Sequence, residues 1–260
     1  MPPFAPPEPA LALVTGAARG IGAAVARAFA ATGAPVALLD RDEAVHEVAA
    51  ELGALAVTAD VADAEAVEAA VAHVEHEAGP IGALVNVAGV LRGGPVLDLD
   101  DADWHTCLAV NATGVWNTGR AVGRRMHRRG TGSNVTGSIV TVASNAAAVP
   151  RTGMAAYAAS KAAAVALTRC LGLELAPHVR CNVVCPGSTD TPMLQASLPA
   201  GAGTEAVVEG VAEQFRVGIP LGRIAAPADV AASVLFLSGP AARHITLQSL
   251  TVDGGAALGA

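Results

Sequence analysis

Short apolar segments alternate with helix-like segments along almost the whole chain, and this alternation constrains the fold more than any other feature. Strands are predicted at residues 10–15, 35–39, 55–59, 83–86, 138–142, 179–184 and 249–252. Helices are predicted at residues 21–31, 44–52, 64–77, 101–128, 155–175 and 228–237. Apolar strands that alternate with helices form parallel sheets covered on both faces. The sequence therefore predicts an α/β fold with a doubly wound parallel sheet and helices on both faces.

The alternation runs from residue 10 to residue 260 without an internal repeat or an interdomain linker, which predicts a single domain. The chain is 52% hydrophobic and 3% aromatic, so Ala, Val and Leu must fill its core. Residues 1–9 are Pro-rich and lack the basic and apolar regions of a signal peptide, so they are expected to be a disordered leader. The Gly/Ser/Thr-rich segment 130–137 is expected to be a flexible surface loop, and the segment 189–218, near the carboxyl edge of the sheet, a substrate lid.

Charge and cysteine content argue against several classes of partner. The formal net charge is −7 and no basic tract is present, which argues against nucleic-acid binding. Apolar runs are too short to span a bilayer, so no membrane partner is expected. The four cysteines, at positions 107, 170, 181 and 185, show no metal-binding spacing, so we expect no metal and a reduced, cytoplasmic setting.

A glycine-rich stretch, TGAARGIG at residues 15–22, stands where the first predicted strand ends and the first helix begins. Glycines there let the backbone turn tightly and approach a pyrophosphate, while the helix N-terminus offers free N–H groups to the anion. This context predicts a Rossmann fold that binds a dinucleotide. The predicted contacts are Gly16, Arg19, Gly20, Ile21 and Gly22.

Asp40 follows the second predicted strand, where a carboxylate can accept hydrogen bonds from the hydroxyls of an adenosine ribose. The same carboxylate would repel a 2′-phosphate, so NAD is predicted rather than NADP. Arg19 and Arg41 point the other way, because a guanidinium can pair with that phosphate. A turn or helix-capping role for Asp40 is the structural alternative.

Tyr157 and Lys161 are spaced i, i+4 on a predicted helix and therefore share one face. An ammonium near a phenol favours the phenolate, which is needed because an ordinary tyrosine has a pKa of roughly 10. Ser144 follows the strand predicted at residues 138–142 and can hydrogen-bond a reacting oxygen. The three side chains predict acid/base chemistry on an alcohol or a carbonyl group.

Together with the glycine-rich turn, Asn86, Gly89, Asn111 and the pair Pro186-Gly187, these residues resemble the short-chain dehydrogenase/reductase family over nearly the whole chain after residue 9. The resemblance implies NAD-dependent hydride transfer, with Asn111 holding a water in a proton relay through Lys161. It implies that Asp60 contacts adenine and that Asn86 supports the cofactor and the sheet. Tyr157 and Lys161 would also contact the cofactor, and the remaining implied cofactor contacts are Val61, Ala88, Gly89, Pro186, Gly187, Thr189 and Thr191. Val87 departs from the family pattern, which often has a second Asn at this position.

Further stretches, at residues 90–92, 138–144, 149–154, 186–191, 218–221 and 244–247, resemble family members that oxidise the ring C3 alcohol of a dihydroaromatic carboxylic acid. Such enzymes supply catechol acids for siderophores and other secondary metabolites. An anionic substrate needs a cation, and the candidates are Arg92 and Arg151, with Ser144 and Tyr157 on the reacting oxygen. If both arginines are surface residues, lid groups such as Gln214 or Arg216 would hold the carboxylate instead.

Three alternatives remain open at this point. The 2-amino analogue of the substrate has the same oxidised carbon and the same carboxylate. A reductase of the same family would act on a ketone or a ketoacyl group, and a non-catalytic Rossmann protein would sense the NAD redox state. The resemblance also implies a homotetramer, and the Ala-rich helices predicted at 101–128 and 155–175 are expected to have outer faces too apolar for solvent.

Overall fold

Seven parallel strands form one sheet in the computed structural model, which describes residues 10–130, 137–198 and 203–260. The strands are β1 Leu11–Thr15, β2 Val36–Asp40, β3 Leu55–Thr58, β4 Ile81–Asn86, β5 Gly137–Val142, β6 Val179–Pro186 and β9 Ser249–Val252. Their order across the sheet is β3-β2-β1-β4-β5-β6-β9. The predicted doubly wound parallel sheet is confirmed, and each observed strand overlaps the segment predicted for it.

Helices cover both faces of this sheet. They are α1 Gly20–Ala31, α2 Val45–Leu52, α3 Ala64–Ala78, α4 Asp101–Leu108, α5 Gly114–Arg129, α6 Ala155–Glu174, α7 Pro192–Ser197, α8 Glu205–Glu209 and α9 Pro227–Ser238. Strand residues alternate between the two faces, so successive side chains enter different cores. Val14, Val85 and Val140 pack with α1, α2 and α9. Leu13, Leu84 and Ile139 pack with α3 and α5 on the opposite face.

The helix predicted at residues 101–128 is divided, so the prediction of one continuous helix was wrong. A π-helical segment, Ala109–Thr113, separates α4 from α5. Asn111 lies in this segment and is fully buried. Its side chain accepts a hydrogen bond from the Val90 amide at 2.8 Å and donates to the Val90 carbonyl at 2.9 Å. These contacts tie the segment to the chain that follows β4, and π turns inside α-helices are frequent at functional sites.

The strand order reverses between β1 and β4, because β1 is followed in space by β2 on one side and β4 on the other. In such sheets, ligands bind in the crevice outside the carboxyl ends of the strands, at this switch point. The Thr15 hydroxyl pins the two strand ends together there, since it accepts hydrogen bonds from the amides of Val87 at 3.1 Å and Ala88 at 3.2 Å. The fold thus positions a cleft at the carboxyl edge.

The segment predicted to be a lid contains α7, α8 and a short antiparallel ribbon, β7 Gly210–Val211 paired with β8 Arg216–Val217. Residues 199–202 of this segment and the side chain of Gln214 lie outside the described part of the chain. The predicted leader at 1–9 also lies outside it, as do residues 131–136 of the predicted loop. No helix among the described residues could cross a membrane.

The outer faces of α5 and α6 differ, which corrects the expectation that both are apolar. Exposed positions on α5 include Arg120 and Arg124 beside Trp116. On α6 the exposed residues include Ala162, Ala166 and Leu173, and Leu173 is 68% exposed. Of these two helices, α6 therefore presents the more apolar face to solvent, with Arg169 and Glu174 as its exposed charged residues.

Candidate active site

Two adjoining cavities of about 630 and 690 Å³ occupy the carboxyl edge of the sheet. The first runs from the glycine-rich turn to the end of β2, and the second lies over β5 and the start of α6. Their shared wall includes Ile21, Gly89 and Thr191. An extended ligand can therefore occupy the first cavity and present its reactive end in the second.

The glycine-rich turn forms a cradle that has no room for side chains. Gly16 has a φ of +67°, and a Cβ atom there would lie 2.6 Å from the main chain of Ala88. A Cβ atom at Gly22 would lie 2.0 Å from the Gly16 carbonyl oxygen. The open N-terminus of α1 begins at Gly20, where main-chain N–H groups and the helix dipole favour an anion. The cradle fits the pyrophosphate of a nicotinamide dinucleotide.

Two carboxylates stand at the far end of the first cavity. Asp40 accepts hydrogen bonds from the amides of Ala18 and Asp42, both at 3.0 Å, and so fixes the glycine-rich turn. A carboxylate has about four acceptor positions, so Asp40 can still receive the hydroxyls of a ribose. Arg19 forms an ion pair with Asp42, so its guanidinium has an acidic partner within the protein.

The next strand adds Asp60 and Val61 to the same cavity. Asp60 accepts a hydrogen bond from the Ala62 amide at 2.9 Å, which holds the carboxylate in the turn after β3. Ala88 and Gly89 form the wall after β4. All four positions are among the implied cofactor contacts, and the resemblance assigned Asp60 to adenine.

Tyr157 is 8% exposed and lies on the first turn of α6, facing the second cavity. Burial raises the pKa of its phenol, and a hydrogen bond with Ser144 followed by the positive charge of Arg151 acts to lower it. The Ser144 hydroxyl also accepts a hydrogen bond from the Ala146 amide at 3.1 Å, which fixes its orientation. The phenol and the hydroxyl are thus placed to bind one substrate oxygen together.

Lys161 is the only lysine in the sequence, and Tyr157 is the only tyrosine. The Lys161 ammonium donates to the Val142 carbonyl at 3.0 Å and lies 5.9 Å from the centre of the Tyr157 ring. Burial lowers the pKa of Lys161 from 10.5 to about 8. The ammonium therefore stands close enough to stabilise a phenolate, yet it gives up its proton more easily than an ordinary lysine.

Two asparagines assigned to the site lie behind the cavity walls. The Nδ2 of Asn111 donates to Ser160 as well as to Val90, so its carboxamide is occupied by protein groups. Asn86 accepts from the Thr118 hydroxyl at 2.7 Å and joins β4 to α5. Both side chains therefore hold the cavity walls, and the relay water expected at Asn111 stays a prediction.

The candidate substrate arginines differ sharply. Arg92 lies at the rim, its side chain is 47% exposed, and it forms an ion pair with Asp103 at 3.3 Å. Arg151 lines the second cavity and donates to Asn145 at 2.9 Å. Burial, and then the positive charge of Arg216, lowers the pKa of Arg151. Arg216 lies on the ribbon of the lid segment and lines the same cavity.

The chain after β6 closes the second cavity from above. Pro186, Gly187 and Thr189 line it, and Thr191 faces both cavities. Thr191 caps α7, because its hydroxyl accepts a hydrogen bond from the Leu194 amide at 3.3 Å. The contact of Thr189 and Thr191 with the nicotinamide end of a dinucleotide, which the resemblance implies, stays a prediction.

Several supporting residues were missed from the sequence. The hydroxyls of Thr141 and Thr168 are 2.8 Å apart and join β5 to α6 beneath Lys161. Asp42 was missed because its partner Arg19 belongs to another turn. Asn145 contacts Asp253, which is 108 residues away along the chain. The adjacency of Asn145 to Ser144 was the only local signal.

Comparisons with known proteins agree with this geometry. A family model described as enoyl-(acyl carrier protein) reductase matches residues 16–257. A Bacillus subtilis (strain 168) protein named 2,3-dihydro-2,3-dihydroxybenzoate dehydrogenase is 50% identical over 259 residues and 97% of each chain. An Escherichia coli (strain K12) protein of the same name is 45% identical over 95% of this chain and 96% of its own. A solved Brucella melitensis structure, titled short-chain dehydrogenase/reductase SDR: glucose/ribitol dehydrogenase, has a TM-score of 0.84 at 34% identity, covering 96% of this chain and 97% of its own.

Proposed function

The chain belongs to the short-chain dehydrogenase/reductase family, and we propose that it oxidises the ring C3 alcohol of 2,3-dihydro-2,3-dihydroxybenzoate with NAD+ to give 2,3-dihydroxybenzoate. The observation that carries this proposal is a buried Tyr157, hydrogen-bonded to Ser144, in a cavity that also holds the guanidinium of Arg151. The catechol acid formed would serve the biosynthesis of siderophores or other secondary metabolites. Relatives at 50% and 45% identity with this name support the substrate.

Proton transfer falls to Tyr157. As phenolate it takes the proton of the C3 hydroxyl, while the Ser144 hydroxyl donates to the same oxygen and holds it in place. The Lys161 ammonium lies 5.9 Å from the centre of the Tyr157 ring and stabilises the phenolate. The proton leaves through Lys161 to a water held by the main chain at Asn111, because the Asn111 side chain is already bonded to Val90 and Ser160.

Gly16, Gly20 and Gly22 would hold the pyrophosphate of a nicotinamide dinucleotide, and Asp40 would receive its adenosine ribose. When bound, the nicotinamide would accept the hydride that leaves C3. NAD+ is preferred over NADP+ because the carboxylates of Asp40 and Asp42 repel a 2′-phosphate. Asp42 also engages Arg19, one of two arginines, with Arg41, that line this cavity.

Arg151 is the stronger candidate for the substrate carboxylate. It lies beside Tyr157 in the cavity, whereas Arg92 is at the rim and paired with Asp103. Two guanidinium groups, Arg151 and Arg216, face the same space, and a carboxylate between them would relieve their mutual repulsion. The ketone formed at C3 enolises to an aromatic ring, which draws the oxidation forward.

A homotetramer is proposed for the assembly. The exposed apolar residues of α6, including Leu173, support a contact with another copy. Light scattering at micromolar concentration tests this proposal, and a monomer there would contradict it.

The test of function is a side-by-side assay of the dihydroxy acid and its 2-amino analogue, 2,3-dihydro-3-hydroxyanthranilate, with NAD+ and NADP+, followed by absorbance of the reduced nicotinamide. We expect the highest kcat/KM for the dihydroxy acid with NAD+. A higher kcat/KM for the 2-amino analogue would identify that analogue as the substrate instead. If the protein only reduces ketones or ketoacyl groups, it is a reductase and the proposal is wrong. If no combination of substrate and cofactor is turned over, a non-catalytic sensor of the NAD redox state is favoured.

A further inference from the structure

The guanidinium of Arg151 is oriented by a neutral amide instead of a carboxylate. Within the part of the chain that the structure describes, Arg19, Arg27, Arg92, Arg125, Arg129 and Arg223 pair with acidic side chains. Arg151 donates to the Oδ1 of Asn145 at 2.9 Å and forms none of these ion pairs. Its guanidinium is therefore held by a neutral group, and the Asp253 carboxylate acts on its charge only from behind that amide, without a direct ion pair.

Asn145 is in turn fixed by Asp253. The Asn145 Nδ2 donates to Asp253 Oδ2 at 3.0 Å, and Asn145 is 2% exposed. A carboxylate only accepts hydrogen bonds, so the amide nitrogen must face Asp253 and the amide oxygen must face Arg151. The chain of contacts thus has one direction, from Asp253 through Asn145 to Arg151.

Asp253 is itself rigidly placed. Its carboxylate accepts from the amides of Gly255 at 2.9 Å and Ala257 at 2.8 Å, in the turn that follows β9. Gly187 makes its approach possible, because a Cβ atom at Gly187 would lie 2.6 Å from the Cβ of Asp253. Gly187 therefore has a packing role besides the cofactor contact expected of it.

We propose that Asn145 and Asp253 are positioning residues that aim Arg151 at the substrate carboxylate while leaving its charge available. The inference rests on the proposed function, since it concerns the carboxylate of that substrate. An aspartate at position 145 would keep an acceptor oxygen beside Arg151, add a negative charge, and replace the N–H that faces Asp253 by a second oxygen. The positive charge of Arg151 favours the ionised form of that aspartate. The arginine would then be paired before the substrate arrives, and binding of an anion would be selectively lost.

The test compares two substrates, the dihydroxy acid and the cyclohexadiene diol that lacks only the carboxylate. For Asn145→Asp we expect KM for the acid to rise about 10- to 100-fold, the range for losing a hydrogen bond to a charged group. KM for the neutral diol and for NAD+ should stay within about 3-fold of the parent, well below that range. Binding of the product, 2,3-dihydroxybenzoate, measured by calorimetry, should weaken in parallel with KM for the acid.

Two further variants keep the test decisive. Asn145→Ser retains a neutral acceptor, and we expect a smaller rise of KM for the acid than in Asn145→Asp. Asp253→Asn removes the charge that fixes the amide, and here too KM for the acid should rise more than KM for the diol. Equal losses for the acid and the diol, or unchanged KM for the acid in Asn145→Asp, would overturn the inference.

Failure of the inference is distinguishable from failure of the proposed function. If the parent enzyme oxidises the acid but Asn145→Asp shows no preference for the diol, only the positioning role is wrong. If the parent oxidises the neutral diol and shows no turnover with the acid, both the proposed substrate and the inference are wrong.

Discussion

Lys161 gives the sharpest prediction, because its burial should appear as a pH-dependent stability. Its pKa is about 8 in the folded protein against an ordinary value of 10.5. Between these values the unfolded chain binds more protons than the folded one, so the contribution of Lys161 to the free energy of unfolding rises with pH. Below pH 8 both states carry the charge, and the folded state bears the full cost of burying it.

The size of the effect follows from the two pKa values. The difference between 10.5 and about 8, at about 1.4 kcal/mol per pH unit, corresponds to about 3 kcal/mol. Burial acts in the opposite direction on the pKa of Cys181, which it raises to about 12, and on that of Tyr157. A comparison with Lys161→Met removes the contribution of groups that do not interact with Lys161, such as Cys181, because both proteins contain them.

The assay is urea unfolding of the parent and of Lys161→Met without cofactor, in steps across the interval between the two pKa values. From about pH 8 to pH 10.5, we expect the free energy of unfolding of the parent to rise by about 3 kcal/mol relative to that of the variant. Since Lys161 is the only lysine, ¹³C-labelled lysine also gives one NMR resonance whose titration reads this pKa directly. The reasoning is refuted if the free energies of unfolding of the two proteins change with pH in parallel and the Lys161 resonance titrates at pH 10.5 or above.

The other predictions concern the reaction and its ligands. Tyr157→Phe should lower kcat about 10²–10⁴-fold with little change in the Kd for NAD+, and near-normal kcat would remove Tyr157 as the base. Asp40→Ala should reduce the preference for NAD+ over NADP+ about tenfold or more in kcat/KM, whereas equal kcat/KM for the two cofactors in the parent would contradict the role of Asp40. Arg151→Ala should raise KM for the acid about 10- to 100-fold, while Arg92→Ala, its matched control, should change it little. A larger rise of KM in Arg92→Ala than in Arg151→Ala would place the substrate carboxylate at the rim.

The sequence predicted the sheet well because burial of strands leaves a local record. Runs such as residues 11–15 are apolar on both faces, and this can be read without knowing any partner. The break between α4 and α5 left no such record. It depends on the bonds between Asn111 and Val90, 21 residues apart, which only the folded chain brings together.

The site shows the same limit. Tyr157 and Lys161 could be paired from the sequence because helical spacing places them on one face. Arg92 and Arg151 could not be ranked, since each stands in a loop beyond a strand. Their difference comes from contacts across the fold: Asp103 binds Arg92, while Arg151 is held through Asn145.

The central claim is that hydride leaves the ring C3 carbon of a dihydroaromatic acid. The most direct measurement uses 2,3-dihydro-2,3-dihydroxybenzoate deuterated at C3, NAD+ and the parent enzyme, with mass spectrometry of both products. The account predicts that the deuterium is found in the reduced nicotinamide, because C3 of the aromatic product carries a hydroxyl and no hydrogen. A reduced nicotinamide without label, with the deuterium lost to water, would contradict it.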